Sequence, residues 1–311
     1  SFQYVGNYGD ALASLPSDRY WVHNDTLYSS EELIKNFPGA GTYSSDEVAV
    51  CGVDAYGLLY ADGTLVLQKG DAVDSAYGPL ITSSGVVLLT ATNKLRDTLD
   101  GKKVHKVIVK DFIVGRTTFA SFFEHFTNLT EIVDFYKLDA RNVTSCESMF
   151  ASFSTDYSCA SLTSIDLSKC NFNSCTTFET MFNSCAKLET VIMPSTTGSL
   201  TTCREMFKNC TSLKTAILPF DTSHMTKQGL YYMFRNCTSL GVTPEMNWDL
   251  SNASDEYFFS GVFFDCTSLK EADISGWIMP TSARVSNIFY NCPIEKITVG
   301  ANYHNIYSSR S

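Results

Sequence analysis

A chain of 311 residues, 44% hydrophobic and 13% aromatic, can bury a large core, which excludes an intrinsically disordered protein. Its 33 acidic and 23 basic residues give a net charge of -10, and no Lys/Arg run is long enough to follow a phosphate backbone, which excludes a nucleic-acid partner. No apolar stretch approaches the roughly 20 residues that a membrane-spanning helix needs.

Residues 1–48 carry one local signal. Ser29 to Phe37 reads as a short capped helix, with Ser30 ahead of Glu31, Glu32, Leu33 and Ile34. From Ala49 the pattern turns to strands. Tyr56 to Tyr60 and Thr64 to Gln68, joined at Ala61-Asp62-Gly63, make a hairpin, because Asp-Gly supports the tight turn. Val86 to Thr90 and Lys106 to Val109 read as further strands. Residues 49–115 therefore form a strand-rich lead-in that caps the open end of the repeats beginning at residue 116.

Residues 116–300 repeat. A motif of Met-Phe or a variant, then Cys, then Leu recurs seven times, most fully as Met206-Phe207 with Cys210-Thr211-Ser212-Leu213. Its Phe column is Phe123, Phe150, Phe182, Phe207, Phe234, Phe263 and Phe289, with gaps of 27, 32, 25, 27, 29 and 26 residues. Such a period marks stacked units that bury their apolar faces only against one another, so the fold class expected is an α/β solenoid of about seven coils. Leu162 to Leu167 has an L-x-x-L-x-L strand pattern, which returns at Leu188, Leu213, Leu269 and Ile294 and predicts a parallel ladder. A turn such as Phe220-Asp221-Thr222-Ser223 comes next, then a short helix whose inward face is Cys203, Met206 and Phe207. Six additional residues between Phe150 and Cys159 predict a looped-out insertion, Pro244 predicts a ladder irregularity in the fifth repeat, and 301–311 form a tail.

Six of the eleven cysteines, Cys159, Cys185, Cys210, Cys237, Cys266 and Cys292, share one column in which Phe126 stands at the first repeat. A column shared with Phe, an odd total and no Cys-x-x-Cys point to core packing rather than disulfides or zinc. His23, His105, His125, His224 and His304 are scattered, with no i, i+3 or i+4 pairing to form a metal face. No Gly-x-Ser-x-Gly elbow, phosphate-binding Gly-rich loop or His-Glu-x-x-His occurs. A pair such as Cys292 and His304 lacks the exposed thiol a nucleophile needs, so neither enzyme nor cofactor is expected. Sequons at Asn24, Asn128, Asn142, Asn209, Asn236 and Asn252 mostly recur with the repeat, which favours turn bonding over glycosylation.

Alternate strand residues must face solvent. On the outward positions the middle coils carry Ile192, Pro194, Ile217, Pro219, Pro244 and Met246, bounded by Asp166 and Asp273. A contiguous apolar cluster of this kind marks an interaction face. A register one residue off would exchange the two faces.

The run Met-Phe-x-x-Cys-x-Ser-Leu, a strand, then a Phe-Asp-Thr-Ser-like turn resembles the BspA-type leucine-rich repeats of bacterial surface proteins. The likeness covers about residues 105 to 299, and Tyr60 to Leu65 with Lys106 to Lys110 resemble the lead-in that precedes such repeats. The resemblance implies a secreted or surface-displayed, non-catalytic binding module associated with adhesion and identifies no ligand; the partner expected at the exposed face is a protein or glycan, with host cells and matrix among the candidate sources. The alternative is a structural subunit of a surface layer, appendage or tail-like assembly, in which the same face makes self-contacts.

Overall fold

The structure, a computed structural model, describes residues 2–3, 15–17, 19–36, 38–39, 41–46, 48–81, 85–151, 158–280 and 287–301. The insertion expected after Phe150, the tail and His304 lie largely or wholly outside the described residues. In chain order the strands are β1 (Phe2–Gln3), β2 (Tyr20–His23), β3 (Thr26–Ser29), β4 (Thr42–Tyr43), β5 (Val48–Val50), β6 (Ala55–Leu59), β7 (Thr64–Lys69), β8 (Val86–Leu88), β9 (Lys106–Val109), β10 (Phe112–Val114), β11 (Glu131–Val133), β12 (Ser164–Asp166), β13 (Thr190–Ile192), β14 (Thr215–Ile217), β15 (Glu271–Ile274) and β16 (Lys296–Val299). One α-helix stands among the described residues, α1 (Ser30–Lys35).

The β6–β7 hairpin forms as expected, in register Leu59↔Leu65. It turns at Gly63, whose φ of 87° and approach to the Lys103 carbonyl, 2.7 Å from where a Cβ would stand, suit only glycine. The five-stranded sheet runs β11-β9-β7-β6-β8, with β7, β9 and β11 parallel. The first repeat strand, β11, is therefore seated directly on the lead-in. Buried Arg116 fastens the same junction. Its guanidinium donates to the carbonyls of Thr90, Asn93 and Thr118 and lies 4.0 Å from the Phe122 ring centroid. Five N–H donors on one planar fork allow this saturation without a carboxylate.

In α1 the N-cap is Ser29 rather than Ser30: its hydroxyl accepts from the Glu32 N–H, and Glu32 accepts from the Ser29 N–H at 2.6 Å. Ser30 is buried and donates to the Pro16 carbonyl while accepting from the Trp21 indole. The same Glu32 oxygen accepts from Arg141 at 2.6 Å, and Tyr136 donates to Asp25. One carboxylate thus caps the helix and ties the N-terminal segment to the repeats.

Within the repeats the structure corrects the α/β expectation. The segments ending in Met-Phe are successive turns, so the described chain is mostly β. The cause is periodic. Residues two before each Phe have positive φ, namely Ser121, Ser148, Thr180, Glu205, Tyr232, Gly261 and Asn287, and so do His125, Ser184, Asn209, Asn236, Asp265 and Asn291, two after. A left-handed residue at both sites ends any right-handed helix between them. It also turns alternate N–H groups out of the coil. Phe123, Phe150, Phe182, Phe207, Phe234 and Phe263 each donate to the carbonyl of the residue preceding the next Phe, at 2.8–3.0 Å. The Phe rings follow this ladder in near-parallel stacks, with centroids 5.1–5.5 Å apart. That spacing is the strand spacing of about 4.8 Å slightly offset.

All eleven cysteines are free, and five members of the ladder are buried. Their column has a further cause that spacing did not show. Each thiol reaches the carbonyl of the Phe one repeat back, from Cys159 to Phe123, Cys185 to Phe150, Cys210 to Phe182, Cys237 to Phe207, Cys266 to Phe234 and Cys292 to Phe263, at 2.8–3.5 Å. Burial pushes the thiols of Cys159, Cys185, Cys210 and Cys237 up, so they stay protonated and donate. Cys292, in the last coil, is only half-buried, against the expectation of a wholly buried column.

Two outcomes test this. Cys210→Ala should cost about 1–2 kcal/mol, from a lost donor and a small void. Cys210→Ser should cost less because its hydroxyl keeps the bond to Phe182, and Cys210→Val should cost more because it is larger and donates nothing. Urea denaturation of the three variants gives the order, and Ser worse than Ala would remove the thiol bond from the account. Burial pushes the Glu32 carboxyl up, but the Ser29 N–H and the Arg141 charge outweigh it and hold the pKa below its ordinary 4.5. Stabilisation from a depressed carboxyl is fully present above the unfolded value and is lost as pH falls through the folded one. Hydrogen exchange in α1 should therefore quicken below pH 4.5 before the repeats open, and Glu32→Gln should show that quickened exchange already at neutral pH.

Candidate functional site: a break in the strand ladder

The strand face is built by β12, β13 and β14, parallel and in register Asp166↔Ile192↔Ile217. The ladder then stops. Leu240 to Trp248 is one residue longer than Leu213 to Phe220, and Pro244 cannot donate. The fifth repeat forms no strand among the described residues; it meets β15 in an isolated parallel bridge, Val242↔Glu271, and β15 pairs onward with β16. This is the irregularity that Pro244 predicts.

Across the gap, no backbone hydrogen bond joins Thr215–Leu218 to Gly241–Met246 among the described residues. The Trp248 indole instead donates to the Leu218 carbonyl at 3.4 Å. Toward the sixth repeat, Thr243 takes over the role of a strand. Its hydroxyl donates to the Asp273 carbonyl and accepts from the Asp273 N–H at 2.8 Å.

A groove of about 630 Å³ opens at the break, lined by Lys214 to Phe220 on one side and by Val242 to Glu245 with Asn247 on the other. Its apolar contribution comes from Ile217, 49% exposed, and Val242, 55% exposed, with Pro219 beside them. Lys214 is paired to Glu189 at 2.8 Å on the exposed rim, where such a pair is worth little.

The eight candidate face residues divide. Ile217, Pro219 and Pro244 line the groove, and Ile192 lies beside Ile217, half-buried. Pro194, Pro244 and Met246 are buried, which corrects their placement on an exposed face. Pro194 has coils on both flanks, whereas its counterpart Pro219 borders the gap. Met246 turns inward, 3% exposed, because the additional residue shifts the alternation and brings Val242 and Glu245 outward.

Asp166 and Asp273 are exposed but engaged in local turns. Asp166 accepts from the Ser168 N–H, and Asp273 from the Ser275 hydroxyl and N–H, which hold its pKa below the ordinary value. Asp221 and Asp249 make the same turn to Ser223 and Ser251, so these carboxylates belong to the coil's architecture. Val242, Glu245 and Asn247 were not legible as site residues. The length difference between Leu240–Trp248 and Leu213–Phe220 was the signal, once Trp248 is aligned with Phe220.

The recurring sequons are likewise structural. The Asn236 carboxamide donates to Asn209 at 3.0 Å, and that of Asn128 to the Lys102 carbonyl. Among the described residues no group of three or more His, Cys, Asp and Glu is placed to hold a metal ion. No helix there is long and apolar enough to cross a membrane.

With this geometry in view, the chain belongs to the family described as Mycoplasma protein of unknown function, DUF285, whose model matches residues 96–193, 117–241, 144–277 and 230–299. Such overlapping matches arise when one model can be laid on a repeat in several registers. No curated protein matches the chain. Among solved structures it is similar to a leucine-rich repeat protein from Bacteroides ovatus ATCC 8483, at 18% identity and a TM-score of 0.31 over 79% of this chain and 70% of that one. It is also similar to a leucine-rich repeat protein from Eubacterium ventriosum ATCC 27560, at 12% identity and a TM-score of 0.20 over 80% and 84%.

Thr243→Val should destabilise by about 1–2 kcal/mol, because it removes both side-chain bonds to Asp273 while preserving shape. Equilibrium unfolding measures this, and an unchanged midpoint would mean that the Thr243 hydroxyl adds nothing to the backbone bond from the Thr243 N–H to the Glu271 carbonyl.

Proposed function

We propose that the chain is a BspA-type leucine-rich repeat solenoid that serves as a non-catalytic, surface-displayed binding module. It contacts a protein partner through the strand face of repeats three to five. The observation that carries this reading is the ladder break, where the exposed Ile217 and Val242 flank an open strand edge in a 630 Å³ groove. Apolar side chains beside unsatisfied backbone groups suit an extended protein segment better than a glycan, which offers no complementary ladder. A rigid stack presents the groove at little ordering cost to itself.

Ile217→Asp with Val242→Asp places two charges where a partner must desolvate them. The double variant should lose attachment to immobilised matrix proteins and cultured host cells by at least about tenfold, the effect of roughly 1.4 kcal/mol, with an unchanged melting temperature. Full attachment by the folded variant would rule out this face, and attachment lost only together with a fall in melting temperature would show that the two side chains support the fold.

A further inference from the structure

The two ends of the stack are unlike. At the first repeat β11 is covered by β9, and Phe126 packs where a Cβ on Gly101 would stand, 2.5 Å from its ring. At the seventh repeat β16 is an edge among the described residues, and its four residues are all exposed, with Ile297 at 49% and Val299 at 44%. Tyr290, 55% exposed, and half-buried Phe289 end two ring stacks there. The Phe289 N–H, whose counterparts at six earlier repeats all donate onward, has no backbone acceptor among the described residues. The face is thus continuous with an interface that the molecule makes six times within itself.

We infer that two copies of this chain associate tail to tail, β16 adding antiparallel to the partner's β16 about a twofold axis. Head-to-tail stacking is closed off, because the lead-in occupies the first coil. The register is set by hydrogen-bond polarity. Lys296 donates back to Lys270 in the β15–β16 ladder, so by alternation Thr298 also faces back, whereas the N–H groups of Ile297 and Val299 face outward. Inward side chains must also meet inward ones, and Ile297 and Val299 match the buried Ala272 and Ile274. Both conditions hold when Ile297 pairs with the second copy's Val299, which puts Thr298 opposite its own mate on the axis and Lys296 opposite Gly300. No like charges then oppose each other. Lys296 and Lys270 are already paired to Glu271 and Glu295, and β16 carries neither the proline nor the free lysine that commonly guards an edge. This surface is separate from the groove and does not depend on its function.

Sedimentation equilibrium of the 311-residue chain should show a monomer–dimer equilibrium. Val299→Pro removes an outward donor and leaves the bonds to β15, so it should be monomeric at concentrations where the parent is dimeric. In a non-reducing gel after mild oxidation, Thr298→Cys should cross-link and Lys296→Cys should not, both compared with the parent, because only Thr298 faces its mate at a Cα distance of about 4.5 Å. If Val299→Pro loses its circular dichroism, the two cysteine variants decide alone. A parent monomeric throughout, or a dimer in which Thr298→Cys fails to cross-link, overturns the proposal. So does a chain ending at Gly300 that dimerises where the full chain does not, since the removed residues 301–311 would then be the cover.

Discussion

The molecule depends on a hydrogen bond made between repeats rather than within them. Each core Phe donates its N–H to the carbonyl just before the next core Phe. This bond sets the rise per coil, and the rise sets everything stacked on it: the rings, the thiols, the carboxamides of Asn209 and Asn236 and the strand registers. A coil removed from its neighbours would leave these N–H groups unpaired beside an apolar face, and a buried unpaired donor costs about 1–3 kcal/mol. Stability is therefore shared along the stack as nearest-neighbour terms.

The same bond separates what side-chain pattern reveals from what it hides. Repeat period, parallel strands, hairpin and apolar cysteine column all arise from side-chain pattern, and pattern is written in the residues. The turn architecture is not. A triplet such as Cys203, Met206, Phe207 has helical spacing whether its backbone is a helix or linked turns, and only the positive φ of Glu205 and Asn209 separates the two. Asn, Asp and Ser tolerate that region, but Glu205 and Tyr232 gave no such warning. For the candidate site, Ile217 and Pro219 were legible from alternation, whereas Val242 and Met246 exchanged faces through one additional residue.

Cysteine suits its column by combining three properties. It is small enough for a coil spacing near 5 Å, apolar enough for burial, and carries a donor for a carbonyl that already accepts one backbone bond, as Phe182 does from the Cys185 N–H and the Cys210 thiol. Alanine lacks the donor and valine lacks both the size and the donor. The first repeat, with Phe126 in this position against Gly101, shows that the slot changes once the preceding coil is replaced by the lead-in.

The gap beside β14 has a mechanical consequence. Hydrogen bonds between coils run along the stack, so tension applied to its two ends loads them in series, one junction after another. Two junctions have neither paired strands nor a bridge on the strand side among the described residues: the one between the first and second repeats, where β11 and β12 lie in different sheets, and the one between the fourth and fifth, where the strand side is reduced to the Trp248 indole on Leu218. Pulled lengthwise, the stack yields more readily at these two seams than where strands pair, and the second hinges open on the strand side because the turn-side bond from Phe207 to Met233 still holds. A partner strand seated in the second seam would splint it, so that the bound state would also be the mechanically stronger one.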